Sequence, residues 1–507
     1  MSNTGIADET IASFQADLFS NREEEKQLFF DTVCAKVKRA YLEFTGVAGQ
    51  GKSELLKWMY HNACEKGYLA AYIDFELAEY HTKELAPILT TIAEQLEQQS
   101  SAASFGKFYE ALELYQHELR QIYRQTLMEE QTPDRRFLNS LEDTYLSIFN
   151  ETLSLVLESR KVVFCLDSTE KAYLNILHAF EDHIVTRYTA HPNFILVTAG
   201  QEELVWKNHE IRNLVQQYEL PCLDLHGVQQ QVNALAQKKG LQIADDDLVL
   251  NTMLELTQGH PFSAYKLIDL WTDGFQASAV NKSVIETQFA RSIRELSQGV
   301  IRERILKKFE ISQDYPPVTD ILWYLSPLRQ IEFDTFKFVL ATFLPEWFAG
   351  KRYIFFQQLM GEFHHSYIFK RWHLGSGFDM DPVVRNILLW DMRINAPATF
   401  REVEKTLADQ FDAWIAKTHD ATQIRNVVER LYHYAAYLHE TQQSNVGELV
   451  QQELHRYLDA YFYVDTPEAR KPLHNQLNRL YNTLAEDKDL VLLTDRAALL
   501  ECIAMRM

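Results

Sequence analysis

Gly46, Gly51, Lys52 and Ser53 stand in the run GVAGQGKS, spaced G-x-x-x-x-G-K-S, with Gly49 between them. Those residue types at that spacing fit the binding of a nucleotide phosphate. Glycines let backbone N–H groups converge on an anion without Cβ clashes. A helix opening near Gly51 aims unsatisfied N–H groups and the positive end of its dipole at the same point. Lys52 can then reach the β- and γ-phosphates, and the Ser53 hydroxyl can ligate Mg²⁺. The rival is a plain glycine turn closing a strand–helix unit. The flanks favour the phosphate, because AYLEFT before the turn leans to strand and GKSELLKWMYHNACEKG carries helical spacing.

Hydrolysis needs carboxylates. KVVFCLD is a continuous apolar run that ends on Asp167. Beside a phosphate loop, such a carboxylate holds the Mg²⁺ shell, usually through water. Its rival role is capping the next helix. Ser168 occupies the position where many such ATPases place a second carboxylate. Glu170 is the nearest candidate for orienting the attacking water. It reads equally as a first-turn glutamate favouring a helix dipole. Thr198, near the end of NFILVTAG, is placed to sense a γ-phosphate or is simply a β-branched strand residue. Nothing in the spacing separates Arg187 and Arg212 from solvated arginines.

These residues need a scaffold. The second strand is expected in YLAAYIDF, with Gly67 as the helix C-cap before it. Continuous apolar runs suit parallel strands buried on both faces, and YELPCLDL offers a fifth strand. Strands alternating with helices predict a doubly wound α/β sheet. The expected organisation is a tail at 1–16, a phosphate-loop domain at 17–227 with a helical insertion near 82–158, a helical lid at 228–310, a winged-helix domain at 311–397 and an all-α region at 398–507. The loops EQQSSAAS and EEQTPDRR break up the insertion.

Composition narrows the partners. The 507 residues suffice for several domains, and 50 basic against 71 acidic residues leave a formal charge of −21. That field disfavours a general nucleic-acid surface. The five scattered cysteines, Cys34, Cys64, Cys165, Cys222 and Cys502, form no disulfide framework or metal spacing. With no signal peptide and no apolar run near 18 residues, a cytoplasmic protein without a membrane span is expected.

Taken in order, LFSNREEE, GVAGQGKS, LDSTEK, LVTAGQEE and TQGHPF resemble the STAND class of signal-transducing P-loop ATPases, relatives of the AAA+ proteins. The likeness spans residues 17–395. It implies that Phe19, Arg22 and Glu25 form the F-x-x-R-x-x-E element, with Arg22 near the adenine or ribose. It implies a D-x-x-E pair in Asp167 and Glu170, and a G-x-P element in Gly259, His260 and Pro261 with Pro261 against the adenine. The sequence departs from the class at Gln201, where many members have arginine, and at Asp381, where many place a histidine facing the β-phosphate; Arg385 follows.

The resemblance implies a switch that rests on ADP, takes up ATP with Mg²⁺, rearranges or oligomerises, and hydrolyses slowly. Moving a population from 1:99 to 99:1 needs about 5.5 kcal/mol of preference for one state. Self-association or a separate effector protein is the expected partnership. The competing readings are a non-hydrolysing nucleotide-bound scaffold and a DNA-binding regulator acting through the winged helix.

Overall fold

The computed structural model describes residues 21–34, 41–80, 84–100, 104–129, 135–239, 250–271 without 252, 255 and 256, 293–298, 315–364, 368–371, 377–462 and 470–507, together with Phe14 and Phe19. Most of the expected tail at 1–16, parts of both expected loops and most of 272–314 lie outside the described residues. Two compact units divide the chain. The described residues through Trp271 belong to the first; those of 293–298, 315–364 and 369–507 belong to the second.

The first unit is built on five parallel strands: β1 (Tyr41–Thr45), β2 (Leu69–Asp74), β3 (Val162–Asp167), β4 (Phe194–Ala199) and β5 (Val215–Glu219). Their order is β2-β3-β4-β1-β5. Alternate residues of β1 to β4 enter two cores. Tyr41, Ile73, Phe164 and Leu196 face one side, and Leu42, Tyr72, Cys165 and Val197 the other. Burial on both faces is why these segments read as unbroken apolar runs. The register sets Asp74 beside Asp167, Leu166 beside Thr198 and Phe44 beside Ala199. The turns leaving β1, β3 and β4 therefore open on one edge, where open α/β sheets place ligands.

The fifth strand corrects the expectation drawn from YELPCLDL. It ends at Glu219, before Leu220 and Pro221. As an edge strand paired with β1, it buries Val215 alone and leaves Gln217 and Glu219 exposed, so it lacks a continuous apolar run. Pro221 has no N–H with which to extend the ladder.

Helix α1 (Glu23–Val33) and helix α2 (Lys52–Glu65) cover one face. Leu55, Leu56, Met59 and Ala63 give α2 its buried stripe. Gly67, at φ +76°, closes the exit in the left-handed region. On the other face lie α3 (Ala86–Gln99), α4 (Gly106–Glu129), α5 (Arg135–Ser159) and α6 (Leu174–Phe180). Helix α3 also closes the edge of β2. Gln95 accepts from Tyr72 N at 2.7 Å and donates to Tyr72 O at 3.0 Å. Gln99 does the same for Ala70, at 2.8 and 2.6 Å. Side-chain amides thus satisfy backbone groups that an open edge would leave for another strand. The unit continues through α7 (His209–Leu214), α8 (Leu225–Lys239) and α9 (Pro261–Trp271).

The second unit begins with α10 (Val318–Leu325), α11 (Phe333–Phe343) and α12 (Tyr353–His364), followed by antiparallel β6 (Phe369–Arg371) and β7 (Phe378–Met380). Ile331 bridges to Phe378. Asp381 caps α13 (Pro382–Asn395), its Oδ1 accepting from Val383 N at 3.0 Å and Val384 N at 3.2 Å. Helices α14 (Pro397–Ile415), α15 (Asp420–Glu440), α16 (Val446–Tyr461), α17 (Arg470–Glu486) and α18 (Arg496–Ala504) complete it. Val427, Leu431, Leu454, Leu480 and Leu499 are among its core. Ion pairs join the two stretches: Arg329 to Glu429 and Asp487, Arg425 to Glu332, and Arg393 to Glu440. Burial works against the Arg329 charge, but Glu429 and Asp487 more than offset it and raise its pKa. Among the described residues no helix is long and apolar enough to cross a membrane.

Candidate functional site

The turn from β1 to α2 is held open by glycines. Gly46, Gly49 and Gly51 have φ of +149°, +91° and +87°. A Cβ on Gly46 would stand 1.8 Å from Gln50 Oε1, whereas one on Gly51 would meet nothing within 4 Å. Open space therefore lies at the start of α2, and no side chain caps its first N–H groups. Lys52 is buried and donates to Gly46 O at 2.7 Å and Val47 O at 2.9 Å. Burial lowers its pKa to about 8, against the raising effect of Glu170 and Asp167.

Asp167 lies at the end of β3 and is almost fully buried. Tyr72 Oη donates to its Oδ2 at 2.6 Å, Ser168 N donates to its Oδ1 at 2.8 Å, and the Ser53 hydroxyl is a further hydrogen-bond partner. Burial and the neighbouring charge of Asp74 raise its pKa to about 6, while these three hydrogen bonds pull the other way. Burial also raises Asp74. A divalent cation would relieve this crowding of negative charge. Among the described residues no three His, Cys, Asp or Glu side chains form a metal cluster. Ser53 and Asp167 would thus supply a hydroxyl and a carboxylate to Mg²⁺, which binds through few protein ligands and keeps water and phosphate oxygens.

Glu170 sits in a 3₁₀ turn reached through Ser168, which has φ +56°. Its Oε2 accepts from Gln201 N at 3.1 Å. Thr198 is buried on β4, and its Oγ1 has no hydrogen-bond partner among the described residues. A polar atom left so in a dry setting is costly unless a ligand completes it. With the positive-φ glycines and the uncapped helix start, this orphaned hydroxyl fits a phosphate-bearing ligand. The turns after β1, β3 and β4 thus bring Lys52, Ser53, Asp167, Glu170 and Thr198 to the same edge of the sheet.

Arg22 is buried beside the loop and donates to Gln50 O at 3.0 Å and to Glu25 Oε1 at 3.3 Å. Burial lowers its pKa, and Glu25 opposes the shift. Phe19 lies beside Trp58 of α2, their ring centroids 6.4 Å apart. The Gly259–Pro261 turn reaches the far side of the loop. His260 Nε2 lies 2.9 Å from Ala48 O, and Phe262 N donates to Gly49 O at 3.1 Å. Pro261 opens α9, and its carbonyl accepts from Gln231.

Arg187 and Arg212 are exposed and take no part; Arg212 donates to Lys207 O. In the second unit Asp381 is engaged as a helix cap, and Arg385 donates to Leu328 O at 3.0 Å. Sequence reasoning gave no role to Tyr72, Gln50 or the His260 ring. Tyr72 carries no motif signal, being one aromatic in an apolar strand. His260 was visible only as the middle residue of G-x-P.

No protein-family model matches the chain, and no curated protein matches it. Among solved structures it is similar to the Thermotoga maritima RuvB Holliday junction branch migration motor, at 12% identity, with 74% of this chain and 96% of that chain covered and a TM-score of 0.34. It is also similar to AMPPCP-bound DnaA from Aquifex aeolicus, at 12% identity, with 69% and 93% covered and a TM-score of 0.32.

Proposed function

We propose that this chain is an ATP- and ADP-binding regulatory switch, a STAND-type, AAA+-related P-loop ATPase. The amides between Gly46 and Ser53, with Gly49 and Gly51 giving access, hold the phosphates. Lys52 exchanges its loop carbonyls for phosphate oxygens. Ser53 and Asp167 hold Mg²⁺, which supplies charge neutralisation when bound. Thr198 directs its unpartnered hydroxyl to the γ-phosphate. Arg22 and Pro261 flank the base side. Glu170 orients water for slow hydrolysis.

The observation that carries the switch is the grip of His260 and Phe262 on Ala48 and Gly49. A loop that moves with its phosphates is bonded to a helical segment that can read the movement. The STAND scheme supplies the remainder. Residues 228–310 act as a lid, 311–397 as a winged helix built on the β6–β7 hairpin, and 398–507 as the helical surface for self-association or for a separate effector.

A second reading, the non-hydrolysing scaffold, draws on Ser168 in place of a carboxylate and on Glu170 already bonded to Gln201 N. Calorimetry with MgATP tests binding. Wild type should bind, and Lys52→Ala should lose roughly 100-fold in affinity as its charge-assisted hydrogen bonds go. Unchanged affinity in Lys52→Ala overturns the phosphate-loop reading. Phosphate release by wild type but not Glu170→Gln supports hydrolysis; release at the protein-free rate by both selects the scaffold.

A further inference from the structure

We propose that His260 is a positioning residue that transmits nucleotide occupancy of the phosphate loop to helix α9. The inference rests on the switch reading above and names the atom through which the coupling runs.

His260 is fully buried. Its Nε2 lies 2.9 Å from the carbonyl oxygen of Ala48, which can only accept, so Nε2 carries the proton. Its Nδ1 receives the Ser263 backbone N–H at 3.3 Å and lies 2.7 Å from Ser263 Oγ. The first turn of α9 thus fixes the tautomer that presents a donor to the loop. The fit is close. A Cβ on Gly49 would meet the imidazole at 2.7 Å and Phe262 Cβ at 2.9 Å. The loop apex can lie against the ring because residue 49 is glycine.

The turn that carries His260 is itself anchored. Gly259 has φ +70°, and a Cβ there would stand 1.8 Å from Leu223 O. Leu223 N donates to Gly259 O at 2.8 Å, and His260 N donates to Thr257 O at 2.9 Å. A shift of Ala48 therefore meets a rigid turn, and the Nε2 bond passes it to α9.

The test is nucleotide-dependent amide exchange, read on full-length protein with MgADP and MgATP. Two variants separate the ring atoms. His260→Gln places an amide donor near the Nε2 position; His260→Asn reaches only the Nδ1 position. In wild type, nucleotide should raise protection in residues 46–53 and in 257–271. His260→Gln should keep most of the second effect. His260→Asn should lose it by roughly tenfold, the worth of one buried hydrogen bond, while protection at 46–53 persists. Should His260→Asn fail to fold, His260→Leu, which fills the buried site without any donor to Ala48 O, reads the same coupling. Wild-type coupling in whichever of these two variants is read overturns the role of His260. Nucleotide that fails to bind wild type at all overturns the underlying switch reading instead.

Discussion

Lys52 permits a quantitative test through proton linkage. Its ammonium is buried, and burial sets its pKa at about 8 against 10.5 for a free lysine. Phosphates placed against it favour the charged form, so binding takes up a proton wherever the free protein has lost one. At pH 7 the free protein is about nine-tenths charged at this position, and at pH 9 about nine-tenths neutral. MgATP affinity should therefore fall roughly tenfold between pH 7 and pH 9, about 1.4 kcal/mol. Uptake should be about 0.5 proton per nucleotide at pH 8 and about 0.9 at pH 9. Calorimetry in two buffers of different ionisation enthalpy measures it directly. Unfolding through this group cannot imitate the effect. The folded pKa lies below the unfolded one, so the charged lysine costs stability below pH 8. That cost, roughly 3 kcal/mol, is relieved as pH rises from about 8 to 10.5. Proton uptake near zero at both pH values, or affinity that does not change, would refute the reasoning.

Three other perturbations probe separate parts of the molecule. Gly49→Ala places a methyl 2.7 Å from the His260 ring at φ +91°; it should destabilise the first unit by about 1–3 kcal/mol in urea titration, with partial recovery in the double variant with His260→Ala. Asp167 titrates at about 6, so kcat/KM for ATP should climb from pH 5 to 7 as the carboxylate forms, and Tyr72→Phe, which removes a hydrogen bond favouring that form, should move the acid limb to higher pH; a limb that stays in place counts against the assignment. Arg329→Met leaves Glu429 and Asp487 facing each other in a buried site, and should cost about 3–5 kcal/mol in denaturant unfolding, a loss that an unchanged midpoint would contradict.

The parts of the fold visible in sequence are those where one local rule dominates. Tyr41 to Glu65 combines an apolar strand, positive-φ glycines and an amphipathic helix, and the structure has each in turn. Strands β3 and β4 were legible because burial on two faces gives an unbroken apolar signal. The edge strand β5 was misplaced because VQQYE carries Gln216, Gln217 and Glu219 and so has no apolar run to mark it. Closure of the β2 edge was illegible, since Gln95 and Gln99 look like ordinary polar residues of an amphipathic helix until the sheet stands beside them. In the candidate site, Lys52, Ser53 and Asp167 could be named from type and spacing. Tyr72 could not, because its value lies in the β2–β3 register that sets Asp74 next to Asp167 and brings the phenol to the same carboxylate.

The end of β4 ties these observations together. Thr198 lies beside Glu43 of the phosphate-loop strand and beside Leu166 of the acidic strand. Two residues later, Gly200 N donates to Phe44 O at 3.1 Å, and the next amide, Gln201 N, donates to Glu170. Successive N–H groups therefore bond in different directions, one to β1 and one to the turn that follows β3. Closeness at this corner depends on Gly200, where a Cβ would stand 2.3 Å from Thr169 Oγ1. A displacement that begins at the Thr198 hydroxyl has little slack before it reaches the Glu170 carboxylate. Residue 201 is glutamine, and its contact with Glu170 is made by backbone, which a change of side chain leaves in place. The bond that ties the segment after β4 to Glu170 therefore does not depend on the side chain at 201.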